Sequence, residues 1–247
     1  MIMNSNHPHN TQINTMGIIG IRSGSKGVKD KNIKMLNGKP LVGWIIEKAL
    51  KSQYINRLII STDSENYKKI AEDFGAEVPC LRPRDFAGDD SPEIDYVTHM
   101  LGYLKEVENY EPDIVVRMMA TVPLQTTDDI DQCISKLIQS SDLDSVVVIA
   151  EARQHPLKAL KIIKDKENNE RLVTYFSDSG REVTPIARQN YDKAYYRSNV
   201  IACKKSVIDK TKSLTGDNVS YYIIPQDRAI DIDNPIDFQI VENLVEK

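Results

Sequence analysis

Short apolar runs rich in β-branched residues alternate along this chain with segments whose apolar positions recur at helical spacing. Met16 to Ile21 reads as a buried strand, and Pro40 to Leu50 as a helix with proline in its first turn. Arg57 to Ser61 repeats the strand pattern. From Ser64 to Phe74, Tyr67, Ile70, Ala71 and Phe74 share one helical face, and Gly75 closes the helix. Glu77 to Leu81 is a short third strand candidate, followed by a polar loop to Pro92. Glu93 to Val107 predicts a helix, Asp113 to Met118 a strand, Thr127 to Gln139 a helix and Asp144 to Ala150 a fully buried strand. The pattern breaks over residues 153–198, which are polar and interrupted by Pro156 and Pro185. It resumes with a strand at Val200 to Cys203, a short helix near Ser206, a strand at Ser220 to Ile224 and a last helix from Pro235 to Val245. Repeated strand and helix units predict an α/β fold, a single Rossmann-like domain of three layers over residues 16–247, with a mostly parallel sheet and helices on both faces. Residues 153–198 are an excursion from that sheet, and residues 1–15 a disordered extension.

Composition narrows the functional classes. A formal charge of −4 over 247 residues excludes the overall basic excess expected for nucleic-acid or membrane-surface binding. Cys80, Cys133 and Cys203 are widely spaced, so neither a disulfide framework nor a zinc site is suggested, which favours a reducing cytoplasm. The first fifteen residues lack the apolar core of a signal peptide, and no stretch approaches the roughly 20 apolar residues of a membrane span.

The basic residues concentrate after the first strand, in Ile21-Arg22-Ser23-Gly24-Ser25-Lys26-Gly27-Val28-Lys29-Asp30-Lys31-Asn32. Gly24 and Gly27 permit a tight turn and close approach of backbone N–H groups to an anion, and Arg22, Lys26, Lys29 and Lys31 supply charge. The order of residues is not that of a P-loop, nor is there a dinucleotide fingerprint. A triphosphate cradle is one reading, and an ordinary basic turn the other. At the far end of the chain, Asp231 and Asp233 lie two residues apart in Ile230-Asp231-Ile232-Asp233-Asn234-Pro235. In extended backbone they share a face and suit Mg²⁺, which takes one or two carboxylates plus phosphate oxygens and water. Alternatively Asp233 or Asn234 caps the helix starting at Pro235 while Asp231 is solvated. In the excursion, Lys158, Arg188 and Arg197 could bind an anionic substrate or simply be solvated, and His155 reads as a loop residue. No nucleophile and base pair can be assembled.

Taken in order, these motifs resemble the acylneuraminate cytidylyltransferase family over nearly all of the chain from Met16 to Glu246. Arg22, Ser25, Lys26 and Gly27 with Lys31-Asn32 resemble the family's nucleotide loop. Asn37-Gly38-Lys39-Pro40-Leu41, Ile60-Ser61-Thr62-Asp63, Leu81-Arg82-Pro83 and Asp89 follow in the expected order. His155-Pro156-Leu157-Lys158 and Arg188-Gln189 resemble the segment that projects toward the partner subunit's site, and Ile230 to Asp233 the Mg²⁺-binding pair. Three positions depart from the pattern: Met119 stands in the place of a substrate-pocket glutamine, Glu93 in that of a small polar residue near the nucleotide, and Val200 follows Asn199 where relatives carry glycine.

The resemblance implies transfer of CMP from CTP to a sialic-acid-like nonulosonic acid, with pyrophosphate leaving, by a cytoplasmic homodimer that uses Mg²⁺. Arg22, Lys26 and Lys31 would stabilise the triphosphate, with Ser25, Asn32 and Arg82 also on the nucleotide. Lys158, Arg188, Gln189 and Tyr196 would hold the sugar acid, and Asp231 and Asp233 the metal, with Asp231 counted among the catalytic residues. The departures leave open another sugar acid, a sugar 1-phosphate, a different nucleotide, or a catalytically silent homologue that binds nucleotide sugars.

Overall fold

The computed structural model describes residues 13–25, 27–88, 90–176 and 191–245. The first strand, β1 (Thr15–Gly20), is followed by a basic loop and by β2 (Met35–Leu36) and β3 (Lys39–Pro40). These two pair as a minimal hairpin around Asn37-Gly38, both at positive φ, as a two-residue turn of this type requires. Helix α1 (Leu41–Leu50), strand β4 (Arg57–Ser61), helix α2 (Glu65–Asp73), helix α3 (Glu93–Glu108), strand β5 (Ile114–Met118), helix α4 (Thr127–Ile138) and strand β6 (Ser145–Glu151) then alternate. A hairpin of β7 (Leu160–Lys164) and β8 (Glu170–Thr174) stands apart from the main sheet. The chain returns through β9 (Tyr195–Lys204), α5 (Lys205–Thr211), β10 (Val219–Ile224) and α6 (Pro235–Leu244).

The main sheet has six strands in the order β10-β6-β9-β5-β1-β4. All run the same way except β9, which is antiparallel to both β5 and β6. One face packs on α1, α2 and α4 through Val42, Ile45, Ile46, Tyr67, Ala71, Ile130, Ile134 and Leu137. The other packs on α3 and α5 through Val97, Met100, Leu104, Val207 and Ile208. A smaller apolar group joins Leu36 and Leu41 to Ile230, Ile232, Phe238 and Val241, fastening α6 across the end of the hairpin. Chain order reverses beside β1: the connection through α1 leads to β4 on one side, and the later connection through α3 leads to β5 on the other. In a sheet of this kind the crevice at the carboxyl ends of such strands is where ligands bind.

Three expectations change. Thr15, placed in the extension from the sequence, is buried and opens β1, while Asn14 pairs its backbone N–H with the Asp113 carboxylate at 2.8 Å. Residues Glu77 to Leu81 form no strand, only a bridge in which the Ile60 N–H donates to the Glu77 carbonyl and the Glu77 N–H to that of Leu58; Pro79 has no N–H with which to continue it. The strand expected at Val200 to Cys203 begins at Tyr195, so Tyr195 to Ser198 belong to the sheet as well as to the excursion. Its pairing with β6 shifts register between Val147 and Ile149, an irregularity that sets Ser198 to Val200 out of step.

Ile18 on the central strand is fully buried. Replacing it with alanine should cost about 2–5 kcal/mol in a urea unfolding titration, as for other buried isoleucines.

Candidate functional site

A cleft of about 360 Å³ opens at the carboxyl ends of β1, β4 and β5. Its lining includes Arg22, Ser25, Gly27, Lys31 and Asn32 from the loop after β1, Met119 to Thr121 from the loop after β5, and Asp233. Gly20, Arg82, Tyr96 and a wall of Phe86, Gly88, Ser91 and Glu93 complete it. The two candidate motifs from opposite ends of the chain therefore meet.

Hydrogen bonds shape the basic loop from beneath. The Ser23 N–H and hydroxyl both donate to the Asp63 carboxylate at 2.7 Å. Partial burial alone would raise the Asp63 pKa, but these bonds from Ser23 prevail and hold it below the usual carboxylate value. Asn32 is buried and donates its amide to the Arg22 carbonyl at 3.1 Å, so it braces the loop as well as lining the cleft. Asp30 adopts positive φ and accepts from the Tyr67 hydroxyl at 3.1 Å.

The acidic segment lies directly against this loop. A Cβ on Gly27 would come within 2.4 Å of the Asp233 carbonyl oxygen, so the approach requires glycine. Lys31 Nζ donates to the Ile232 carbonyl at 2.6 Å and pairs with the Asp233 carboxylate at 3.3 Å. Asp233 is largely exposed, which makes that ion pair weak and leaves the Ile232 bond as the firmer tether. The other side of the segment is held by the Ile232 N–H, which donates to the Thr121 carbonyl at 2.9 Å.

Both sequence readings of the aspartates contain part of the arrangement. Asn234 does cap α6, accepting from the N–H groups of Ile236 and Asp237, and Asp237 closes a capping box. Asp231, however, is half-buried, and its Oδ1 is shut off from water. Burial pushes its pKa above the usual carboxylate value; the nearby Thr121 hydroxyl and Lys31 oppose the shift, whereas Asp233 and Asp237 add to it. Asp231 Oδ1 and Thr121 Oγ1 are both buried without a hydrogen-bond partner of normal geometry among the described residues. An orphaned, desolvated carboxylate oxygen beside a second carboxylate is an arrangement that a cation relieves. Two carboxylates match what Mg²⁺ typically takes from a protein, its other ligands being water and phosphate; no group of three or more His, Cys, Asp or Glu able to hold a metal exists among the described residues.

The floor of the cleft carries buried cations. Arg82 donates Nε to the Ser61 hydroxyl at 2.9 Å and Nη2 to the Ser61 carbonyl at 2.7 Å, and its guanidinium lies 4.4 Å from the Tyr96 ring centroid. Burial lowers its pKa from the ordinary arginine value. Arg117 on β5 is also buried; it donates to the Asn199 carbonyl at 2.7 Å and faces the Glu93 carboxylate at 3.4 Å. The Asn199 side chain accepts from the Met119 N–H. The register shift in β9 thus brings one asparagine against both Arg117 and the loop after β5. Gly20, Asp63, Glu93, Tyr96, Arg117, Thr121 and Asn199 were not among the expected site residues. Of these, Asp63 and Thr121 carried a sequence signal through their motifs, Glu93 as a departure, and Asn199 through the departure at Val200 beside it.

Expected substrate-side residues are divided. Tyr196 is half-buried near the acidic segment, its hydroxyl 3.4 Å from the Ala229 carbonyl; burial raises its pKa, with Arg153 opposing and Asp231 adding to the rise. Lys158 is exposed and lies 5.7 Å from the Tyr191 ring centroid rather than along the cleft of its own chain. Lys26, Asp89, Arg188 and Gln189 lie outside the described residues.

Substituting Gly27→Ala should force the loop and the acidic segment apart, costing about 1–3 kcal/mol of stability by thermal or urea unfolding. Nucleotide affinity in a binding titration should fall with it.

Comparison with known proteins places this chain among cytidylyltransferases. The family model described as cytidylyltransferase matches residues 16–222. A "post-translational flagellin modification protein B" of Campylobacter coli is 30% identical over 227 residues, covering 92% of this chain and 92% of that protein. An N-acylneuraminate cytidylyltransferase of Escherichia coli O18:K1:H7 is 27% identical over 232 residues, 94% of this chain but 52% of the relative, so the chain spans about half that protein's length. Among solved structures, a CMP:2-keto-3-deoxy-manno-octonic acid synthetase complexed with CTP superposes with a TM-score of 0.68 at 13% identity, covering 94% of this chain and 98% of that one, which is a likeness of fold.

Proposed function

The chain belongs to the cytidylyltransferase family, and on that footing we propose that it couples CTP to a sialic-acid-like nonulosonic acid, yielding the CMP-sugar and pyrophosphate. The observation that carries the reading is the meeting of the cationic loop with Asp233 in one cleft, with Asp231 two residues away beside Thr121. Transfer to a sugar hydroxyl at the α-phosphorus needs little covalent chemistry from the protein. Positioning and neutralisation of charge on the phosphates do most of the work.

The loop after β1 offers Arg22, Ser25 and Lys31 to the triphosphate, with Lys26 of the same loop expected to join them. Lys31 is tethered by the Ile232 carbonyl at 2.6 Å, so its charge is held at the phosphate end rather than swinging in solvent. Arg82 and Tyr96 form the floor under the nucleotide, and Asn32 keeps the loop closed. Asp231 and Asp233 would hold Mg²⁺. The ion would supply Lewis-acid polarisation of phosphate and sugar oxygens. Burial of Asp231 makes its carboxylate a poor partner for water and a good one for a cation.

The acid acceptor is assigned to Tyr196 and to the excursion of a second copy. Lys158 stands away from its own cleft, and the projecting hairpin exposes Ile162, Leu172, Tyr175 and Phe176. These apolar side chains support a homodimer in which each hairpin reaches the other chain's site.

Two outcomes test the reading. With CTP, Mg²⁺ and a panel of nonulosonic acids, wild-type protein should release pyrophosphate, and Asp231→Asn should lose about 100-fold or more in kcat. Because the folded-state pKa of Asp231 is raised, protonation competes with the metal at higher pH than for an ordinary carboxylate. The Mg²⁺ requirement should therefore steepen as pH falls toward that raised value. Unchanged turnover in Asp231→Asn would remove that residue from the metal site. For the assembly, Ile162→Lys with Leu172→Lys should give a monomer by light scattering and lower the apparent affinity for the acid more than that for CTP. A double variant that remains dimeric would contradict the hairpin's role.

A further inference from the structure

One charged group in the cleft is unused by the chemistry above. Glu93 opens α3 and lines the cleft with Phe86, Gly88 and Ser91; α3 packs through Tyr96 and Val97 on a different apolar group from the one that holds Ile232 beside Asp233. Its Oε2 lies 3.4 Å from Nε of Arg117, whose side chain is 5% exposed on the central strand β5. A guanidinium so deeply placed needs a counter-charge: its Nη1 donates to the neutral Asn199 carbonyl at 2.7 Å, and its Nε has no hydrogen-bond partner among the described residues. Glu93 is that counter-charge. The pairing draws the carboxylate onto the wall of the cleft, where Tyr96 and Arg82 form the adjoining floor.

An ionised carboxylate accepts hydrogen bonds and donates none. With a triphosphate on the loop after β1, the opposite wall is where the base arrives; this step rests on the nucleotide reading proposed above. The two common pyrimidines differ there in one respect: cytosine presents an exocyclic amino donor at position 4, and uracil a carbonyl acceptor. A fixed carboxylate attracts the first and repels the second. We propose that Glu93, braced by Arg117, recognises the 4-amino group of the cytosine base and excludes uracil. The same pairing accounts for a negative side chain in a cleft built for a polyanion, since Arg117 balances its charge.

Direct binding titrations of CTP, UTP and dCTP to wild type and Glu93→Gln, without any acid acceptor, test the proposal. Glutamine keeps the shape, removes the charge and supplies an amide donor that uracil can use. The CTP over UTP preference should fall roughly 10- to 100-fold, the range expected for a hydrogen bond to a charged group. The CTP over dCTP ratio should stay as in wild type. A CTP over UTP ratio that does not change overturns the proposal, and so does a change confined to CTP over dCTP, which would place Glu93 on the ribose. If Glu93→Gln does not fold by circular dichroism, Glu93→Asp, which keeps the charge but withdraws it by one methylene, should weaken CTP without strengthening UTP. Equal affinities for the three nucleotides in wild type would overturn base recognition outright. Binding of CTP without turnover of any acid would count against the acceptor half of the proposed function while leaving this test intact. Failure to bind any nucleotide would defeat both.

Discussion

The site depends on the absence of one side chain. At Gly27 the backbone of the basic loop comes so close to the Asp233 carbonyl that a Cβ has no room, and this contact sets two segments more than two hundred residues apart against each other. Everything polar in the cleft is arranged around it. Lys31 fastens to the Ile232 carbonyl, Ile232 to the Thr121 carbonyl, and Ser23 to Asp63. The loops after β1, β4 and β5 and the approach to α6 thereby become one surface at the place where the sheet's chain order reverses.

The electrostatics of that surface follow from burial more than from the number of charges. Lys31 with Asp233 is a solvent-exposed pair of small worth. Arg82, Arg117 and Asp231 are different, because water has been taken from them. Arg82 is compensated by Ser61 and the Tyr96 ring, and Arg117 by the Asn199 carbonyl and the charge of Glu93, although Arg117 Nε has no hydrogen-bond partner among the described residues. Asp231 is not fully compensated, as its orphaned Oδ1 and raised pKa record. On the reading proposed above, a cation would compensate it.

Much of the fold was legible because its strands and helices are long and keep their period. Residues 57–61 and most of 93–108 carry patterns that no tertiary contact overrides. Glu77 to Leu81 misled because its apolar residues fit a strand whereas Pro79 lacks the N–H to pair it. The direction and full length of β9 were hidden, since a strand's partner is set by the topology around it and not by its own residues. The same holds for the site. The basic loop and the aspartate pair were visible as motifs, yet the choice between capping and metal binding dissolved only when Asn234 took the cap and Asp231 turned inward. Glu93 looked out of place until α3 was seen to start over Arg117, and Asn199 gave no sign of its role because a register shift, not a motif, points it at Met119.

The central claim is that the cationic loop and the buried carboxylate form one metal and triphosphate site. Calorimetric titration of CTP with and without Mg²⁺, on wild type and on Asp231→Asn, tests it most directly. The account predicts that Mg²⁺ tightens CTP binding to wild type by an order of magnitude or more, as a shared cation should, and that this gain disappears in Asp231→Asn while metal-free binding is retained. An equal Mg²⁺ gain in both proteins would contradict it.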